Sequence, residues 1–313
     1  MAHRLVTRSD FDGLVCAVLL TELGLIDEIL FVHPKDVQDG VVEMSERDIT
    51  TNLPYDPRAG LVFDHHRSET TRVGERDNHV IDPDAPSAAR VVFDHYGGAA
   101  RFPTISPEMM EAVDKADSAA YDVEEILHAE GWTLLNFLMD ARTGLGRFRQ
   151  FRVSNYDLMM QLIDYCRNHT VEEILTLPDV AERVELYRAQ SEAFTAQLRR
   201  VARVEGDVVV LDLREEEVIH AGNRFMVYAL FPEATVSVHV MWGRAKQNTV
   251  LAVGKSIVDR SSAADIGDLM LRFGGGGHRN AGTCQVDHDE AAATLDTVVR
   301  ALNAAGRRLP ATV

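Results

Sequence analysis

The chain has 313 residues, room for two domains, because single hydrophobic cores rarely grow beyond roughly 250–300 residues. A hydrophobic fraction of 46% is ordinary for a globular protein, and no apolar run reaches the roughly 18 residues of a membrane span. The formal net charge of −17 argues against the broad basic face that grips duplex DNA, so an anionic substrate should be short and held by a few local cations or metal contacts.

Cys16, Cys166 and Cys284 are odd in number, far apart and set in apolar surroundings. They read as buried packing residues of a reducing cytoplasm, not as a disulfide framework. The amino terminus runs straight into a strand with no signal-peptide layout, again predicting a cytoplasmic protein.

In chain order, Arg4 to Thr7 predicts a strand and Ser9 to Gly13 a loop. Leu14 to Leu23 predicts a buried helix closed by Gly24, and Ile29 to Val32 a second strand. This alternation predicts a parallel sheet built from βαβ units. Asp10 and Asp12, one residue apart, can point two carboxylates into one site, and Gly13 permits close approach at the helix start. Glu43, Glu46, Asp48 and Asp56 follow. Asp48, ahead of a loop-like stretch from Ile49 to Pro54, is favoured among them for a site role.

Gly60 to Phe63 predicts a short buried strand that delivers Asp64-His65-His66 at its carboxyl end, where open α/β sheets bind ligands. Together with Asp10 and Asp12 these residues supply mixed oxygen and nitrogen ligands suited to Mn²⁺ or Mg²⁺. Ser87 can cap a following helix, where small residues allow an anion to approach. In the helix predicted from Pro107 to Tyr121, Asp114 and Asp117 share a face. Asp117 recurs with Met110 and Val113, so it either faces inward onto a metal or is a solvated acid.

Residues 122–203 read as helical, ending in a charged connecting helix over 181–204. The period then changes, and Val208 to Leu211, Met226 to Leu230 and Val236 to Met241 predict strands of a second α/β domain. The domains expected are 1–180, the connector 181–204, and 205–313. The second carries Gly274-Gly275-Gly276-Gly277-His278-Arg279, whose bare amides can form an anion nest and whose His278 and Arg279 suit phosphate. Ser256 and Arg260 are candidates for further phosphate contacts, solvated surface residues being the alternative. Together, two divalent ions about 3.5–4 Å apart and a phosphate-gripping loop, meeting in a cleft between the domains, describe in-line hydrolysis of a phosphate ester.

Over nearly its whole length the chain resembles the DHH phosphoesterases with a DHH-associated C-terminal domain. The residues that carry the resemblance are Asp10-x-Asp12-Gly13, Asp64-His65-His66 and the run Gly274 to Gly282. The resemblance implies an α/β protein with a parallel-sheet catalytic domain and a smaller mixed domain. It also implies a hydrolase using two Mn²⁺ ions, Mg²⁺ being the alternative.

Asp10, Asp12, Asp64 and His65 would then be metal ligands, with Asp48 and Asp117 near the remaining acidic positions and Asp56 and Asp114 as their alternatives. His66, beside Asp64, would hold the site or act on the substrate phosphate or leaving group. Gly275, Gly276, Gly277, His278 and Arg279 would hold substrate phosphate. A histidine that many members carry before the first acidic pair is missing; Val6 and Arg8 stand there, which leaves one ion a thinner shell or makes Arg8 a phosphate contact.

The expected substrates are short oligonucleotides or nucleotide bisphosphates. Exopolyphosphatase activity and a non-catalytic nucleotide sensor are the alternatives. A homodimer remains open, and neither duplex DNA nor a membrane is an expected partner.

Overall fold

Leu5 and Val6, both fully buried, lie in the first strand of a parallel sheet. The computed structural model describes residues 2–148 and 150–307. They divide into two units, one made of residues up to Ala120 with Ala129–Leu186, the other of Tyr121–His128 with the residues from Tyr187 on.

In the first unit, β1 (His3–Arg8), β2 (Ile26–Val32), β3 (Asp48–Thr51), β4 (Leu61–Asp64) and β5 (His79–Ile81) form one sheet in the order β2-β1-β3-β4-β5. Every pairing is parallel. The order reverses between β1 and β3, and the loops beyond such a switch point are where an open α/β sheet exposes a crevice. Register brings the strand ends level: Thr7 pairs with Thr51, and Thr51 with Phe63. The segments after β1, β3 and β4 therefore emerge side by side.

The helix Phe11–Glu22 is buried at every residue from Phe11 to Leu20. Its sequence is apolar nearly all round, as a helix covered on more than one side must be. It packs against the helices Ala88–His95, Pro107–Asp117 and Asn155–Asn168. Leu14, Leu19 and Leu20 are fully buried, each contributing about 1.5–3 kcal/mol. The expected C′ glycine is in place: Gly24 has φ +67°. The stretch after Asp48 corrects one expectation, because Ile49 to Thr51 is not loop but buried strand, in which Thr51 Oγ1 donates to Thr7 Oγ1 across the sheet at 2.7 Å.

The second unit holds β6 (Ala202–Glu205), β7 (Val208–Asp212), β8 (Val236–Trp242), β9 (Thr249–Lys255), β10 (Gly276–His278) and β11 (Ala281–Val286). Their order is β10-β11-β9-β8-β7-β6, with only β7 and β8 parallel. Val208, Val210, Val238, Leu251 and Val253 pack with Ile266, Met270, Leu295 and Val298 of the helices Ile266–Leu271 and His288–Ala305.

Met226–Leu230, expected as a strand, is a short helix. A five-residue apolar run carries no decisive period, and here Tyr228 is drawn inward by hydrogen bonds to Ser237 Oγ and the Gly254 carbonyl. The 24-residue helix Pro178–Val201 overlaps the residues 181–204 expected as a connector, and the division between units falls within it, between Leu186 and Tyr187. Tyr121–His128 joins the second unit through Asn223, whose Nδ2 donates to the Ile126 carbonyl at 2.7 Å. The three cysteines are free and buried. Among the described residues no helix is long and apolar enough to cross a membrane.

Candidate metal centre

The turn after β1 is built around Asp10 and Gly13. Asp10 is the N-cap of the helix Phe11–Glu22, its Oδ1 accepting from the Gly13 amide at 3.0 Å. A Cβ on Gly13 would stand 2.0 Å from the Arg8 carbonyl oxygen, so only glycine closes this turn. Closure directs Asp12 inward, where it is 2% exposed.

The Asp12 carboxylate accepts from the amides of Ala88 (3.0 Å) and Ala89 (2.7 Å). These are the first free donors of the helix Ala88–His95, whose Ser87 cap forms as expected. The small residues at this helix start thus admit a carboxylate of the chain itself, where the sequence suggested a bound anion.

Asp64 ends β4 fully buried. Its Oδ1 accepts from the amides of His65 (2.8 Å) and His66 (3.2 Å) and faces His66 Nδ1 at 2.7 Å. Its Oδ2 has no hydrogen-bond partner among the described residues. His65 is anchored by Nδ1, which donates to the Ala85 carbonyl at 3.3 Å and so leaves Nε2 as the nitrogen available to an ion. Nε2 lies 3.1 Å from Asp117 Oδ2, close enough to pair but without hydrogen-bond alignment.

Asp12, His65 and Asp117 each offer one ligand atom, all within 4.8 Å of one another. Burial pushes the Asp12 carboxyl well above its usual range, and the neighbouring Asp117 and Asp10 add to the effect. Asp10 is pushed up in the same way, with Arg8 pulling against it. Burial alone would lower His65, but Asp117, Asp12 and Asp64 outweigh it and push it up to about 9. A crowded set of carboxylates with an imidazole is costly unless a cation neutralises it. Two carboxylate oxygens and one imidazole nitrogen fit a divalent ion with some transition-metal character, and the nearby chain holds a further buried carboxylate oxygen, Asp64 Oδ2, without a hydrogen-bond partner among the described residues.

Not every expected residue reaches this cluster. Asp48 sits at the amino end of β3, at the end of the sheet away from the site, where Arg4 Nε donates to it at 2.7 Å and the Ser45 amide at 2.6 Å. Its expectation as a ligand is corrected: it is one half of an ion pair. Asp56 is bound by Arg58, and Asp114 accepts from Ser87 Oγ (2.7 Å) and Arg90 (2.5 Å). That leaves Asp117 as the member of its pair that faces the cluster.

Asn52 was missed. It follows β3 directly, is 2% exposed, and its Nδ2 lies 3.4 Å from Asp10 Oδ1. The rule that placed Asp64 at a strand's carboxyl end would have found Asn52, had the preceding residues been recognised as a strand.

In the second unit, the anion-nest expectation is corrected at two of the glycines. The amides of Gly274 and Gly275 are spent on the Leu271 and Met270 carbonyls. Gly277, at φ +153°, lets two backbones touch, since a Cβ there would meet the Ala281 carbonyl oxygen at 2.3 Å. The run builds the β10–β11 hairpin, and His278 and Arg279 at its turn are exposed. Ser256 is not open to a phosphate: it is 4% exposed and accepts from the amides of Val258 and Asp259. Arg260 is exposed.

No family model matches the chain, and no curated protein matches it. Among solved structures it is similar to the pGpG-specific phosphodiesterase PggH of Vibrio cholerae. The identity is 58%, over 97% of this chain and 100% of that one, with a TM-score of 0.87. CDC45 of Entamoeba histolytica shares the fold at 8% identity and a TM-score of 0.51, covering 96% of this chain and 95% of that one. RecJ of Thermus thermophilus in complex with Mn²⁺ matches at 17% identity and a TM-score of 0.44, over 96% of this chain and 52% of that one.

Proposed function

The chain belongs to the DHH phosphoesterases, and on that premise we propose that it cleaves the phosphodiester bond of short linear dinucleotides of the pGpG kind, using Mn²⁺ or, second, Mg²⁺. The observation that carries the substrate class is the 58% identity, over the full length, to a pGpG-specific phosphodiesterase. Asp12, His65 and Asp117 would hold the ion, with Asp64 Oδ2 turned towards no other partner. Once bound, such an ion lowers the pKa of a water and offsets charge on the phosphoryl group.

The remaining roles belong to the chain's own side chains. His66 is 45% exposed at its side chain and is oriented through Nδ1 by Asp64, which leaves Nε2 for a substrate phosphate oxygen or for proton transfer to the leaving oxygen. Asp12 is held rigid by two backbone amides, so little reorganisation accompanies charge development. His278 and Arg279, with Arg260, are proposed as substrate-phosphate contacts of the second unit. Neither polyphosphate hydrolysis nor a non-catalytic sensor has an observation of its own in its favour, and the charge of −17 disfavours a long polyanion.

The test is product release with Mn²⁺ from linear pGpG, linear diadenylate, 3′-phosphoadenosine 5′-phosphate, a cyclic dinucleotide and long polyphosphate. Linear dinucleotides should be converted to mononucleotides. Asp12→Asn and Asp117→Asn should each lower the rate by more than about 100-fold, because even outer-shell losses cost about 10–100-fold. Turnover of polyphosphate alone would overturn the reading.

A further inference from the structure

The polar groups of the site fall on two sides. On one stand Asp12, His65 and Asp117, whose ligand atoms lie within 4.8 Å of one another, a donor set complete enough for one ion. Beside β1 and β3 stand Asp10, Asn52 and Arg8, and these are differently engaged. Asp10 Oδ1 is tied to the Gly13 amide as a helix cap and lies 3.4 Å from Asn52 Nδ2. Asp10 Oδ2 is paired with Arg8 Nε at 2.8 Å. Asn52 is neutral, and φ +53° fixes it against the strand end with its Oδ1 buried and without a partner. Among the described residues no second cluster of three His, Cys, Asp or Glu ligand atoms forms. A divalent ion needs several anionic or imidazole ligands to replace its water, and this side offers a single committed carboxylate and an amide.

The side is not without positive charge. The Arg8 side chain is 36% exposed, and apart from Asp10 no hydrogen bond or ion pair engages its guanidinium among the described residues. A guanidinium keeps its charge at any working pH, and a carboxylate gripping Nε leaves the Nη groups to donate in a fork to phosphoryl oxygens. In a two-ion phosphoesterase the second ion clamps the oxygen that the first does not reach.

We propose that this chain works with one divalent ion, and that Arg8, docked on Asp10, is the second cation of the site and binds the scissile phosphate directly. The proposal rests on the phosphodiesterase reading above. Asp10 is then a positioning residue for Arg8, and Asn52 holds Asp10 in place.

The experiment is Mn²⁺ titration of the metal-stripped full-length chain, reading free Mn²⁺ by electron paramagnetic resonance, alongside pGpG hydrolysis by the wild type, Arg8→Gln and Arg8→Lys. The wild type should saturate at one ion per chain. Arg8→Gln should still bind one ion with affinity within a few-fold of the wild type, while kcat/KM falls about 10²–10³-fold, the usual loss of a preorganised transition-state donor. Arg8→Lys should recover part of that loss, which a purely structural arginine would not show once thermal melts confirm that both variants are folded. Two ions per wild-type chain, or near-normal hydrolysis by Arg8→Gln, would overturn the proposal and leave the phosphodiesterase reading standing. Failure of the wild type to cleave pGpG at any Mn²⁺ concentration would instead defeat that reading.

Discussion

Asp12 and Asp48 are both buried carboxylates near β1 and β3, and the end of the strand each occupies separates their roles. Asp12 follows the carboxyl end of β1 and is pushed up by burial among other acids. Asp48 begins β3; burial pushes it up too, but Arg4 and the Ser45 amide outweigh that and hold it below the ordinary carboxylate range. A carboxylate with a lowered native pKa stabilises the fold fully above its unfolded value, and the contribution disappears as pH falls through the folded value. Asp48→Asn should therefore cost about 1.5–3 kcal/mol near neutral pH, the range for a charge-assisted hydrogen bond. The difference from the wild type should shrink below about pH 4, where the unfolded carboxyl protonates. Mn²⁺ affinity should be unchanged. Thermal melts from pH 3 to 7 with a parallel Mn²⁺ titration check this; weakened metal binding would return Asp48 to the site.

At the scale of elements, the helix Ala88–His95 is the part of the scaffold on which the metal centre most depends. Ser87 performs two tasks: its Oγ accepts from the Arg90 amide to cap the helix and donates to Asp114, which is itself gripped by Arg90. This fixes the amides of Ala88 and Ala89 that hold Asp12. Ser87→Ala should destabilise the chain by about 1 kcal/mol through the lost cap. It should also weaken Mn²⁺ binding by about 10-fold, as outer-shell changes do. Isothermal titration of Mn²⁺ into the variant separates the two effects. A stability loss with unchanged affinity would mean that the helix start holds Asp12 without the cap.

For the whole molecule, the net charge of −17 and the concentration of acids at one site act in the same direction. Both oppose compaction when no cation is bound. Ligand binding to the native state stabilises it by mass action, about 2.7 kcal/mol at 100 times Kd. Mn²⁺ should therefore raise the melting temperature of the wild type, EDTA should reverse the rise, and Asp12→Asn should show none of it. An equal rise in Asp12→Asn would place the stabilising ion elsewhere.

The parallel first sheet was legible from strand-length apolar runs alternating with a helix apolar nearly all round, because those periods are dictated by burial alone. Asp64-His65-His66 and Asp10-x-Asp12-Gly13 were legible as well, since loops after parallel strands emerge at one end and local spacing governs whether two side chains share a turn. Met226–Leu230 was misread because five apolar residues satisfy helix and strand alike. Asp48 and Asn52 were misjudged because strand register, a non-local pairing of β3 with β1 and β4, decides which acid lies at which end of the sheet. Tertiary structure alone determined that two amides of a distant helix bind Asp12. Those contacts join segments up to 77 residues apart, and nothing in the local sequence encodes which backbone donor a buried carboxylate will meet.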